Sequence, residues 1–187
     1  RVRAAAGGVD ITIVEIGGSG SRVQALLANR VQAVPVHFDQ TPEILSKGNY
    51  KILLKPWEEY KVYIAECWVV NGEWLKNADN RRLAVDIQKA TIASFRRANR
   101  ELKYFGDMYR KYSTIKGAAE MTDEKLQPVW ETMSKTAKAW PDDGMFKKEH
   151  FKELMPAYKS VGAFAKEPDL DKLLDTSITE QALKELG

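Results

Sequence analysis

An α/β fold is predicted by three observations. Residues 11–16 (ITIVEI), 31–36 (VQAVPV), 51–54 (KILL) and 62–70 (VYIAECWVV) are short apolar runs, mostly β-branched. A segment of helical periodicity separates the first two runs. From Asn77 onward that periodicity takes over the chain. The expected organisation is therefore an alternating region of strands and helices followed by a helix-rich one.

Residues 1–18 (RVRAAAGGVDITIVEIGG) read as the tail of a helix, its glycine end and the next strand. An opening of that kind implies an upstream part. Ile11, Ile13, Val14 and Ile16 are too apolar for a half-exposed strand and suit a parallel sheet covered on both faces. Val23, Leu26 and Leu27 mark one face of a helix over residues 21–29. Residues 31–36 then give a second strand, so strand, helix and strand form a βαβ unit with parallel strands. Pro35 lacks an N–H and belongs at an edge or a bulge. Residues 51–54 are a further strand, and 62–70 follow the PWEEY turn.

The remainder is helical. Asp79 or Asn80 can cap a long helix whose apolar positions include Leu83, Ile87, Ala90, Ala98 and Leu102. Thr122 can cap another carrying Leu126, Trp130, Met133, Ala137 and Trp140, with Pro128 in its first turns or at a kink. Residues 141–144 (PDDG) end it. Phe151, Leu154, Met155, Tyr158 and Val161 share the face of a further helix, and residues 179–186 form a last short one.

Composition removes several classes. A net charge of +3 over 187 residues, with scattered basic residues, gives no nucleic-acid footprint. Only Arg96, Arg97 and Arg100 approach a cluster. Cys67 is the only cysteine, so no intrachain disulfide or thiol metal site is expected. His37 and His150 are too few and too far apart in sequence to suggest zinc. No apolar run reaches membrane-spanning length. No catalytic constellation is apparent: there is no nucleophile elbow with a histidine partner, no Cys–His pairing and no metal cluster. Neither a catalytic residue, a metal nor a cofactor is expected.

Gly17, Gly18 and Gly20 follow one apolar run and precede a helix. A helix N-terminus presents free N–H groups to an anion or polar acceptor, and glycine permits close approach. The third glycine of a dinucleotide fingerprint is missing, so a nucleotide is not indicated. Ser19 and Ser21 can contact a ligand or simply cap the helix. The next run stops at His37, Phe38 and Asp39. Ligands of open α/β sheets gather outside the carboxyl ends of strands, so parallel strands would bring both segments to one rim. Phe38 can instead be a core aromatic, and Asp39 the cap of the helix suggested by Thr41-Pro42-Glu43. Glu66 lies within an apolar run, and a carboxylate buried there needs a partner.

The order of these phrases resembles a family. The run VDITIVEI, the loop, RVQALLANRVQAV, HFDQTPEIL and KILLKPW are similar to the second lobe of type II periplasmic solute-binding proteins. The nearest branch comprises the nitrate, sulfonate, taurine and thiamine-precursor binders of ABC importers. Residues 25–33 (ALLANRVQA) carry the branch's helix-to-strand phrase, with Asn29-Arg30 and Gln32 in place of its usual glycine and aspartate. CWVVNGEWLKNADNRRLAVDIQKATIASFRRAN resembles the return strand and following helix. WPDDGMFKKEHFKELMPAY and LLDTSITEQALKELG are similar to the family's ending.

The resemblance implies a periplasmic-binding-protein-like II fold of two lobes with a hinge, lacking its N-terminal half-lobe. Residues 1–60 would be the later half of lobe two. Residues 61–187 would be a crossover strand, the return to lobe one and C-terminal helices. Ligand contacts carried over by position are Gly18, Ser19, Gly20, Ser21, His37, Phe38 and Asp39. The crossover strand would add Tyr63, Ala65 or Glu66, of which Glu66 is the chosen candidate. The implied function is extracytoplasmic capture of a small polar organic or oxyanion ligand, by a periplasmic or membrane-anchored monomer that docks on a membrane permease. Asp39 and Glu66 suit a cation or amine whereas the elbow suits an anion, which leaves the ligand's charge open. The alternatives are an enzyme on the same scaffold, similar to a thiamine-pyrimidine synthase, and the effector domain of a transcription regulator.

Overall fold

The computed structural model describes residues 11–59, 67–113, 115, 117–144, 147–160 and 162–187. Its α-helices are α1 (Ser19–Leu27), α2 (Thr41–Ser46), α3 (Pro56–Glu59), α4 (Ala78–Arg100), α5 (Leu102–Tyr112), α6 (Asp123–Glu131), α7 (Lys148–Ser160), α8 (Leu170–Leu173) and α9 (Ser177–Leu186). Tight 3-10 turns occupy Phe38–Gln40, Trp74–Lys76 and Ala118–Glu120, and a π-helical turn, Thr132–Thr136, continues α6.

The α/β expectation is overturned, and with it the two-lobed periplasmic-binding-protein-like fold. Among the described residues there is no strand, hence no βαβ unit and no parallel pairing of residues 11–16 with 31–36. The described parts of the apolar runs are irregular and largely open to solvent: Ile13 is 71% exposed, Leu53 83% and Val69 84%, while Val31, Val34 and Val36 are half-buried. β-Branched composition favours extended backbone, but a strand exists only where its N–H and C=O groups meet those of a neighbour. No described backbone hydrogen bond joins these runs to one another. Residues 60–66, which hold the expected joint and part of the crossover strand, lie outside the described residues, as do residues 1–10.

The helical expectation holds with shifted details. The first helix starts two residues earlier than predicted, at Ser19, and buries Val23 and Ala25. The cap of α4 is Asn77 rather than Asp79 or Asn80. Its side-chain oxygen accepts from the N–H groups of Asp79 (2.9 Å) and Asn80 (3.1 Å). The buried face of α4 is Ala84, Val85 and Ile92, while Leu83 and Ile87 are half exposed. Val85 and Ile92 pack against Ala182 of α9, flanked by Ile178, Leu183 and Leu186.

Around that seam runs a polar belt. Glu185 takes Arg82 and Lys89, each at 2.8 Å, and Arg81 reaches Asp175 at 3.0 Å. Such exposed pairs fix register more than they add stability.

The helix that starts at Ala78 ends at Arg100 instead of running through Leu102. Its last carbonyls have taken tertiary donors: the Trp130 indole N–H donates to Ala98 O at 2.6 Å, and Lys135 Nζ to Asn99 O at 2.9 Å. Satisfied C-terminal carbonyls make an end there inexpensive. Glu101 is extended, and α5 begins at Leu102. Thr122 caps α6 as expected, accepting from the Lys125 N–H at 3.4 Å. Arg110 of α5 binds Asp123 at 2.8 Å and Met121 O at 3.0 Å, which clamps α5 to the start of α6.

Candidate functional site

The glycine elbow forms a real turn into α1. Gly17 has φ +91, the left-handed region that glycine occupies without a Cβ penalty. Gly18 is the N-cap and supplies no side chain, so neither Ser19 nor Ser21 caps the helix. Ser19 is the first helical residue, and its hydroxyl accepts from Arg22 Nη2 at 2.9 Å. Ser21 is exposed.

The second segment is a compact knot before α2. The Gln40 N–H donates to His37 O at 3.1 Å, and Gln40 Oε1 accepts from the His37 N–H at 3.2 Å. Thr41 Oγ1 donates to Phe38 O at 2.7 Å. Pro42 supplies a fixed φ at the start of α2, and the buried Ile44 anchors the helix. The N-cap of α2 is Gln40, without a side-chain bond, so Asp39 does not cap it. Phe38 turns away to meet Trp57 edge-on, with centroids 5.3 Å apart.

These two segments and the end of α5 enclose a cavity of about 650 Å³, within the range of small-molecule sites. Ser19, Gly20, Val23 and Gln24 line it from α1. His37, Asp39, Gln40 and Glu43 line it from the turn and α2, and Tyr112, Ser113 and Ile115 from the third side. Of the eight residues predicted as ligand contacts, the cavity gathers Ser19, Gly20, His37 and Asp39. Gly18, Ser21 and Phe38 do not line it, and Glu66 lies outside the described residues, with Tyr63 and Ala65. Gln40, the last residue of the expected rim segment, also lines it; Gln24, Glu43, Tyr112 and Ser113 are the polar lining residues missed by sequence reasoning. Glu43 had a local signal, standing one helical turn beyond Asp39. Tyr112 and Ser113 had none, because only tertiary packing brings the end of α5 to the turn.

The electrostatics are uneven. Burial raises the Asp39 carboxyl above its ordinary value, opposed by the nearby His37 and by the residue's own backbone N–H. Burial also raises the Tyr109 phenol, reinforced by the charges of Asp39 and Glu43. The Tyr109 hydroxyl lies 3.5 Å from Asp39 O, the outer limit of a hydrogen bond. Arg22 Nε is buried and has no acceptor among the described residues.

Chemically, the lining offers hydroxyls, amides, an imidazole and two carboxylates. No hydrogen bond joins the His37 side chain to Ser19, Ser113 or Asp39, so no proton relay is assembled among these residues. Among the described residues no group of three His, Cys, Asp or Glu is placed to hold a metal ion. No described helix is long and apolar enough to cross a membrane. Compared with known proteins, the chain matches no family model, no curated protein and no solved structure.

Proposed function

We propose that the chain captures a small polar molecule in this cavity and releases it unchanged. The observation that carries the reading is the convergence of Ser19 and Gly20 with His37 and Asp39 on one space of about 650 Å³. Segments well separated in sequence supply donors and acceptors to it, and apolar Val23 and Ile115 complete the lining. An unlinked serine, histidine and aspartate favour holding over turnover, since nucleophilic catalysis requires the base within hydrogen-bond reach of the nucleophile. The role as the extracytoplasmic solute-binding component of an ABC importer, docking on a membrane permease, rests on the sequence resemblance alone.

Gly20 provides the test. A Cβ built there meets nothing within 4 Å, so a side chain can be attached at this lining position without a clash at its first atom. Gly20→Trp should keep the fold, because glycine inside a helix is the weaker helix former by up to about 1 kcal/mol. The intact chain is incubated with a cell metabolite extract, filtered, and its retained small molecules are read by mass spectrometry before and after prolonged incubation. Wild type should retain a molecule of unchanged mass, and Gly20→Trp should not, at an unreduced melting temperature. A retained molecule whose mass changes would establish turnover. Equal retention by the variant would move the site elsewhere.

A further inference from the structure

We propose that Asn71 is a site of spontaneous covalent modification, converted in the folded chain to aspartate and isoaspartate through closure of Asn71-Gly72 into a succinimide. Of the asparagines Asn29, Asn49, Asn71, Asn77, Asn80 and Asn99, only Asn71 precedes a glycine.

Ring closure needs an unengaged Gly72 nitrogen and space around it, and the fold supplies both. Asn71 and Gly72 are exposed, and a Cβ built on Gly72 meets nothing within 4 Å. The Gly72 N–H donates to nothing among the described residues. The side-chain carbonyl is also prepared: Asn71 Oδ1 accepts from the Glu73 N–H at 2.8 Å and lies 3.4 Å from the Trp74 nitrogen. These donors face the oxygen on which negative charge develops when the amide carbon is attacked. They also hold the side chain, but at an exposed turn water replaces such bonds at little net cost.

In the first step the Gly72 nitrogen, its proton lost to a base in the solvent, bonds to Asn71 Cγ. The Cγ–Nδ2 bond breaks, and the nitrogen leaves as ammonia with a proton taken from water. Water then opens the ring. Addition at Cγ gives aspartate, and addition at the main-chain carbonyl carbon gives isoaspartate, whose chain runs through Cγ. Either product exchanges a neutral amide for a carboxylate.

Asp143-Gly144 is the comparison within the same chain, since Asp-Gly closes to the same ring with loss of water. There the fold opposes it. The Gly144 N–H donates to Pro141 O at 3.1 Å, and Lys147 holds the Asp143 carboxylate at 2.7 Å. Gln88, Thr179 and Ile92 crowd the glycine, the nearest atom lying 3.0 Å from a Cβ built there.

The consequence of modification falls on the start of α4. The Leu75 N–H donates to Asn71 O at 3.2 Å, and Asn80 Nδ2 of α4 donates to Trp74 O at 3.0 Å. Aspartate keeps this arrangement, whereas isoaspartate reroutes the main chain away from the carbonyl that Leu75 uses.

The intact chain is aged at neutral and at mildly alkaline pH, beside a sample in urea. Each is digested and read by mass spectrometry with fragmentation that separates isoaspartate from aspartate. In the folded chain residue 71 should convert, faster at the higher pH, while residue 143 remains aspartate. In urea residue 143 should begin to isomerise as well. Gly72→Ala, which has room for its methyl group, should slow conversion of residue 71 about tenfold, because a Cβ obstructs ring closure. Persistence of Asn71 in the folded chain, an unchanged rate in Gly72→Ala, or isomerisation of residue 143 as fast folded as in urea would each overturn the proposal. Aged wild type should also melt below Asn71→Asp, and equal melting after conversion would overturn the link to α4.

Discussion

Ile92→Ala tests the helical seam on which the rest of the fold is built. Ile92 is fully buried, beside the equally buried Val85 and Ala182, and its Cδ1 lies close to Gly144 in the turn that follows residue 141. The substitution removes three carbons, about 0.8 kcal/mol each by transfer, or roughly 2.4 kcal/mol. A cavity term adds to this, which places the expected loss at about 3 kcal/mol, inside the range of roughly 2–5 for such truncations. With a urea dependence of about 1–3 kcal/mol per molar, the midpoint should fall by on the order of 1–3 M at unchanged slope. Leu83→Ala is the internal control. Leu83 is 51% exposed, so its truncation should stay within about 0.5 kcal/mol. The hydrophobic pattern read from sequence gave Leu83 and Ile87 the buried face, and the two placements predict opposite rankings. A larger loss from Leu83→Ala than from Ile92→Ala would refute the packing of α4 on α9.

Acid should loosen the same seam through Glu185. Lys89 foremost, then Gln181 and Arg82, hold its carboxyl down to about 2, from an ordinary 4.5. Because the folded value is the lower one, its stabilisation is complete above pH 4.5 and is lost as pH falls towards 2. Melting temperature followed across that window should decline less steeply in Glu185→Gln than in wild type, and parallel curves would remove Glu185 from the acid response. At the other end of the helix, Asn77→Ala should cost about 1 kcal/mol in urea unfolding through the lost cap, with Asn77→Asp restoring most of it. Failure of the aspartate to rescue would show that the cap is not what Asn77 contributes.

Helices were legible in this sequence where one segment carries its own instructions. Thr122 with Lys125, and the apolar positions Leu126 and Val129, specify α6 locally. The end of α4 was not legible, because Trp130 and Lys135 terminate it from a distance and no proline or glycine marks the spot. The strands failed for a related reason. An apolar β-branched run states a backbone preference and a wish for burial, whereas a ladder requires a second run at the correct distance and register. Residues 11–16, 31–36 and 51–54 express the preference without acquiring the partner.

The cavity survives the loss of the sheet that was expected to create it, and this locates what the site depends on. Its first wall needs only the elbow that launches α1, where Gly17 takes a positive φ and Gly18 leaves the serine hydroxyl free of capping duty. Its second needs the tight turn Phe38–Gln40, held by bonds within residues 37–41. Both are short-range devices that bring Ser19, Gly20, His37 and Asp39 to one cavity without the parallel strands expected to do so, which are absent among the described residues. The third wall is different in kind. Tyr112 and Ser113 arrive on α5, whose position is set by Arg110 and Asp123 on the side facing α6. The Tyr109 hydroxyl is the one described side-chain donor from α5 to the turn. Under the capture proposal, entry and release are expected between α5 and the turn, where one marginal hydrogen bond among the described residues spans the gap.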